Sequence, residues 1–213
     1  MASPNHDPET EAEAEAHTKP NTELVLKLSP TNPQWLTAVL DDFPAFLRDH
    51  ASCEKKAAGM AMNIASHYPD KPDLLAAMAD LAVEETSHYR EVIRLMISRN
   101  EMPGADTRDA YVGGMNQLIR KGPEFYLLDR LLVAALIEAR GQQRFALVAK
   151  AIRDATLKKF YTAIAASEAR HWALFIGLAE RYFPTEIVHE RFGELATQEQ
   201  ALIAEQSPRA ALH

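Results

Sequence analysis

Residues 81–92 read LAVEETSHYREV. They carry Glu85 and His88, three positions apart. On a helix that spacing sets two side chains about 60° apart and one turn along, so both can reach one ion. The same spacing recurs at Glu168/His171, inside SEARHWALFIGLAERYF (167–183), and at Glu186/His189. With 8 His and 19 Glu in 213 residues, chance supplies about one such pair, so position must decide which of them matter.

Around these stretches the apolar spacing is helical almost throughout. Ala, Leu, Glu and Arg dominate, β-branched residues are sparse, and strand signal is nearly absent. A short helix is predicted over 34–42 before Pro44, and a long one over 44–67 that stops at Tyr68-Pro69-Asp70-Lys71-Pro72. Asp70 is the expected N-cap of a helix continuing to 99. Residues 101–123 hold Pro103, Gly104, Gly113, Gly114, Gly122 and Pro123, a long connection with room for one short helix. Two more long helices follow over 123–151 and 154–182, then a polar helix over 185–205. Two helix hairpins joined by a long crossover form an all-α four-helix bundle, here with extra short helices at its ends.

Within that layout two carboxylates stand out. Glu54 precedes Glu85 by 31 residues, and the midpoint falls at Pro69/Asp70, inside the first turn. Glu138 precedes Glu168 by 30 residues, and that midpoint falls at Arg153, between the third and fourth long helices. A carboxylate about 15 residues before a bend and another about 15 after it return to the same height, roughly 20 Å from the bend. Both hairpins do this independently. Glu186/His189 has no such partner and is read as coincidence. The neighbours are small or apolar: Ala51, Ala57 and Ala58 around Glu54, Ala134, Ala135 and Gly141 around Glu138, Ile164 and Ala165 before Glu168.

Four carboxylates do not share a dry bundle interior uncompensated, because buried charge is costly. Two divalent ions cancel them, and hard carboxylates mixed with imidazole suit Fe or Mn rather than Ca or tetrahedral Zn. Glu54, Glu85, His88, Glu138, Glu168 and His171 are therefore the expected metal ligands. His50 is placed near the bundle end, and Cys53, about 100° around the helix from Glu54, is assigned to packing.

Composition bounds the rest. The chain is 47% hydrophobic and 25% charged, enough for one globular domain over 24–205. A disordered acidic tail is expected over 1–23 and a frayed tail over 206–213. One cysteine excludes a disulfide framework and a Cys-based zinc site. The longest apolar run, Leu131 to Ile137, is far short of a membrane span, and the N-terminus lacks a secretory pattern, which makes a cytoplasmic location the expectation. The net charge of −7 sits mostly in the first 23 residues, whereas 120–159 is locally basic. A solvated helix face is the bland reading of that segment. Lys150, Arg153, Lys158 and Lys159, clustered at one turn, are the candidates for contacting a polyanion.

Glu54, Glu85-Thr86-Ser87-His88, Glu138 and Glu168-Ala169-Arg170-His171 resemble the ligand set of the ferritin-like di-iron carboxylate proteins. LAVEETSHYREV, LLVAALIEARGQQRF (131–145) and SEARHWALFIGLAERYF make the stretch 24–205 similar to the MiaE family of bacterial tRNA hydroxylases. That resemblance implies a two-iron centre. It implies O2-dependent hydroxylation of the isopentenyl group of 2-methylthio-N6-isopentenyladenosine beside the tRNA anticodon, with electrons from a separate reductase. One iron would take Glu54, Glu85 and His88, and the other Glu138, Glu168 and His171, with at least one carboxylate bridging. The chain departs from related hydrocarbon oxygenases one turn after the third-helix Glu, where Gln142 replaces their Thr. Ferritin-like iron oxidation and storage, or dimanganese catalase chemistry, fits the same ligands. A metal-free helical scaffold would instead place all six on the surface.

Overall fold

The computed structural model describes residues 28–213. The acidic stretch 1–23 lies outside the described residues. Seven helices follow in order: α1 (Pro33–Asp41), α2 (Phe43–His67), α3 (Pro72–Ser98), α4 (Ala110–Gln117), α5 (Pro123–Ala151), α6 (Ala155–Tyr182) and α7 (Thr185–Ala204). No strand occurs among the described residues.

Local chemistry sets the helix starts. Asn32, Asp42, Asp109 and Asp154 each accept a backbone N–H of the first turn, which satisfies donors that have no partner within the helix. Proline occupies the first turn of α1, α2, α3 and α5, where its missing N–H costs nothing. One cap differs from the sequence expectation. Lys71, not Asp70, is the N-cap of α3 and makes no side-chain cap bond; Asp70 instead faces the Lys71 ammonium at 3.4 Å. The turn is one residue longer than the Asp70 cap required.

The long helices pair as two hairpins, α2 with α3 and α5 with α6. Six consecutive α5 residues, Leu131 to Leu136, are buried, as expected of a helix covered on every side. It is covered by α6, by α2, and from outside by α4 and α7. The α7 contact is fastened by a buried ion pair, Arg140 to Glu199 at 2.8 and 2.9 Å, to which the Tyr111 hydroxyl donates at 3.1 Å. Two apolar clusters result. One holds Ile64, Leu128, Leu132 and Phe175, the other Phe46, Val92, Phe145 and Tyr161. The predicted ligands fall on the helix turns between these clusters.

The C-terminal segment does not fray. Ala211, Leu212 and His213 are buried. Trp35 Nε1 donates to the Ala211 carbonyl at 2.8 Å, the Leu212 N–H donates to Asp49 Oδ2 at 2.6 Å, and Arg144 donates to the Leu212 carbonyl. Each anchor lies far away in sequence, so nothing local in 206–213 announces it.

Candidate metal centre

All six predicted ligands meet at mid-height of the bundle. Glu54, Glu85, Glu138, Glu168 and His171 are nearly inaccessible, and the His88 side chain is 14% exposed. His88 Nδ1 lies 3.6 Å from Glu54 Oε2 and 3.5 Å from Glu85 Oε2. His171 Nδ1 lies 2.9 Å from Glu85 Oε1, 3.5 Å from Glu168 Oε2 and 3.9 Å from Glu138 Oε2. The donor atoms fall into two sets, each converging within 4.8 Å: Glu54, Glu85, His88 and Glu168 in one, and Glu85, Glu138, Glu168 and His171 in the other. Glu85 and Glu168 belong to both.

The electrostatics call for cations. Burial pushes the Glu138 and Glu168 carboxyls well above their ordinary value, and repulsion from neighbouring carboxylates adds to it. Burial also acts to raise Glu54, but the hydrogen bond with His50 and the nearby His88 imidazole prevail and hold it below the ordinary range. Burial works to lower both histidines, yet the surrounding carboxylates lift each to about 9. Glu85 Oε1, His88 Nδ1 and His171 Nδ1 are buried and make no aligned hydrogen bond, the 2.9 Å approach of His171 Nδ1 to Glu85 Oε1 included. Such orphaned atoms are rare in a folded protein unless something else binds them. Four carboxylates and two imidazoles arranged in this way fit a pair of divalent metal ions.

Two supporting contacts have no sequence signature. Glu84 Oε2 accepts from His171 Nε2 at 3.1 Å and from Ser167 Oγ and Arg170, which turns His171 Nδ1 toward the cluster. His50, fully buried among aromatic rings, pairs its Nε2 with Glu54 Oε1 at 2.6 Å and its Nδ1 with the Tyr161 hydroxyl at 3.3 Å. It therefore holds the Glu54 carboxylate rather than standing apart at the bundle end. His189 is elsewhere, paired with Glu180 at 2.8 Å.

A cavity of about 300 Å³ runs between α2, α4, α5 and the C-terminal segment, with Glu54, Glu85, Glu138 and Glu168 in its wall. The remainder is mostly apolar, including Ala57, Met60, Val133, Ala134 and Ile137. Cys53, read from sequence as packing only, lines it too, while at the turn after Glu138 the wall is Gly141 rather than Gln142.

Lys150, Arg153, Lys158 and Lys159 are exposed at the α5–α6 turn. The basic segment around them is less available than its sequence implies. Arg140 and Arg144 are buried, and Arg120 is committed to Asp129 at 2.7 Å. Among the described residues no helix is long and apolar enough to cross a membrane.

Comparison with known proteins agrees with this geometry. A tRNA 2-(methylsulfanyl)-N(6)-isopentenyladenosine(37) hydroxylase of Pseudomonas putida is 37% identical over 153 residues, covering 72% of this chain and 74% of that protein. The protein of the same name from Salmonella typhimurium is 28% identical over 207 residues, covering 74% and 76%. A Synechococcus protein with aldehyde deformylating oxygenase activity superposes with a TM-score of 0.83 at 35% identity, over 87% of this chain and 94% of that one. The all-α, ferritin-like bundle is thus shared with an oxygenase. The family described as tRNA-(MS[2]IO[6]A)-hydroxylase matches residues 18–213, and this chain belongs to that family, MiaE.

Proposed function

We propose that this enzyme is a two-iron monooxygenase that hydroxylates the isopentenyl group of 2-(methylsulfanyl)-N6-isopentenyladenosine in tRNA. The observation that carries the reading is the apolar cavity walled at one side by the carboxylates of the cluster. A prenyl chain is apolar and needs no polar partner, so such a cavity can hold it against the reacting centre while excluding water.

Glu54, Glu85, His88, Glu138, Glu168 and His171 would hold the irons, Glu85 and Glu168 being the carboxylates that belong to both donor sets. Iron bound there would supply the activation of O2 that insertion into an allylic C–H bond of the prenyl group requires. Glu84 fixes the His171 ring, and His50 with Tyr161 fixes the Glu54 carboxylate. One oxygen atom goes to the substrate and the other to water, so two electrons come from an external donor, which we assign to a separate reductase. The base must be splayed from the anticodon loop to enter the cavity. The exposed cations Lys150, Arg153, Lys158 and Lys159 are our candidates for phosphate contacts, in which case tRNA affinity falls steeply with salt.

Ferroxidase or catalase chemistry uses the same ligands but has no use for an apolar cavity of this size. The reading is tested by nucleoside mass spectrometry. Reduced, iron-loaded protein is given O2 and tRNA bearing the prenylated base. A gain of one oxygen on that nucleoside, lost in Glu138→Ala, is the expected result. Oxygen consumed with the nucleoside unchanged would overturn the substrate assignment.

A further inference from the structure

Apart from the carboxylate cluster, and sharing no residue with it, Cys53, Asp109 and His213 bring a sulfur, an oxygen and a nitrogen within 4.8 Å of one another. They come from three distant parts of the chain: α2, the N-cap of α4, and the buried segment 211–213. Asp109 is fixed by Oδ1, which accepts the Val112 N–H at 3.1 Å. Its other oxygen, Oδ2, lies 3.3 Å from His213 Nδ1, yet the two make no aligned hydrogen bond. His213 is 4% exposed, its ring stacked on Tyr111 with centroids 4.8 Å apart and planes 16° apart. The Cys53 thiol makes a long contact, 3.7 Å, to Asp49 Oδ2.

Asp109 Oδ2 and both nitrogens of His213 are buried without hydrogen-bond partners. Among the described residues, the other carboxylate and imidazole atoms in that condition are the three at the carboxylate cluster, so the two places share one signature. Leaving such atoms bare costs free energy unless something binds them. Donors about 2.0–2.3 Å from a tetrahedral ion stand about 3.3–3.6 Å apart, a spacing that Oδ2 and Nδ1 already have at 3.3 Å. An ion on those two atoms leaves only Nε2, which then carries the ring proton. One thiolate and one carboxylate cancel a divalent charge, so the filled site is neutral, as burial requires. Sulfur, nitrogen and oxygen donors together suit zinc better than calcium or magnesium. A single cysteine excludes a site built of several thiols, but not one completed by an imidazole and a carboxylate. We infer that Cys53, Asp109 and His213 form a further divalent-metal site, of the zinc class, which clips α2, the start of α4 and residues 211–213 together. Binding releases the thiol proton to solvent and changes no oxidation state. The inference does not rest on the proposed substrate.

Cobalt(II) is the probe, because a thiolate bound to it adds a charge-transfer absorption that oxygen and nitrogen ligands do not give. Cys53 is the only cysteine of the chain, so that absorption reports this site whatever the carboxylate cluster holds. The full chain, stripped of metal by chelation, is titrated with cobalt in the absence of air. Wild type should develop the absorption, lose it when zinc is added, and take up one cobalt ion more than Cys53→Ser, which should show none. Asp109→Asn, which can still cap α4, and His213→Ala should each weaken the absorbing site about a hundredfold or more. Circular dichroism, measured alongside, should be unchanged in all three variants.

Wild type without the charge-transfer absorption, or with the same cobalt uptake as Cys53→Ser, would overturn the inference. Unchanged affinity of the absorbing site in either Asp109→Asn or His213→Ala would overturn it too, by removing that side chain from the site.

Discussion

Glu85 on α3 and Glu168 on α6, from different hairpins, are the two carboxylates common to both clusters of converging donor atoms. Each is followed three residues later by a histidine whose Nδ1 faces the cluster, His88 and His171. The symmetry of the two hairpins therefore ends in a pair of carboxylates common to both donor sets, with Glu54 and Glu138 each in one set only.

That sharing predicts unequal consequences for the carboxylates. Glu168→Ala or Glu85→Ala removes a donor from both positions and should lower bound iron from about two ions per chain to almost none. Glu54→Ala should spare the other side and retain about one. Iron per chain by elemental analysis, with circular dichroism as a fold control, reads the difference. Equal retention in all the variants would contradict the bridging assignment.

Glu84 should matter although it is not a ligand. Its carboxylate holds the His171 Nε2–H, so Glu84→Ala frees the ring and should weaken metal affinity by about 10–100-fold. Glu84→Gln keeps an acceptor oxygen and should lose less. Fe(II) titration measures both. Unchanged affinity in the alanine variant would show that the bundle alone orients His171.

The Arg140–Glu199 pair should behave as a buried charge pair does. Arg140→Met strands a carboxylate that is 1% exposed and should cost about 3–5 kcal/mol in urea unfolding. Arg140→Met with Glu199→Leu should recover most of that loss. A single variant as stable as wild type would mean that Tyr111 and the surrounding backbone satisfy Glu199 unaided.

Acid sensitivity should trace in part to Asp129. Burial acts to raise its carboxyl, but hydrogen bonds from Arg120 and Arg191 prevail and hold it below its ordinary 3.8. A carboxyl depressed in the folded state contributes stability that is complete above the unfolded value and lost as pH falls through the folded one. The urea midpoint should therefore drop as pH falls below 3.8, and Asp129→Asn should flatten that drop while lowering stability at neutral pH. An equally steep acid limb in the variant would assign the loss to other carboxylates.

The comparison of sequence with structure separates along the range of the interactions. Helix bounds, to within a residue or two, and the meeting of the six predicted side chains follow from local periodicity and from distances measured to a turn, and the structure brings those six side chains together. What stayed hidden depends on contacts across the chain. Arg140 and Arg144 read as free charge because Glu199 and the Leu212 carbonyl, which bind them, are 59 and 68 residues away. Residues 211–213 look like a loose end because Trp35, Asp49 and Asp109 lie more than a hundred residues upstream. Glu84 sits beside the motif yet resembles any half-exposed glutamate until His171 is brought against it.

The most direct test of the account follows the oxygen atom. The reduced, iron-loaded protein is allowed a single turnover with tRNA carrying the prenylated base under ¹⁸O2 in ordinary water, and the nucleoside is weighed. The account predicts one heavy oxygen on the isopentenyl group, absent in Glu168→Ala. Unlabelled oxygen on the product, drawn from water, or an unaltered nucleoside while ¹⁸O2 is consumed, would contradict it.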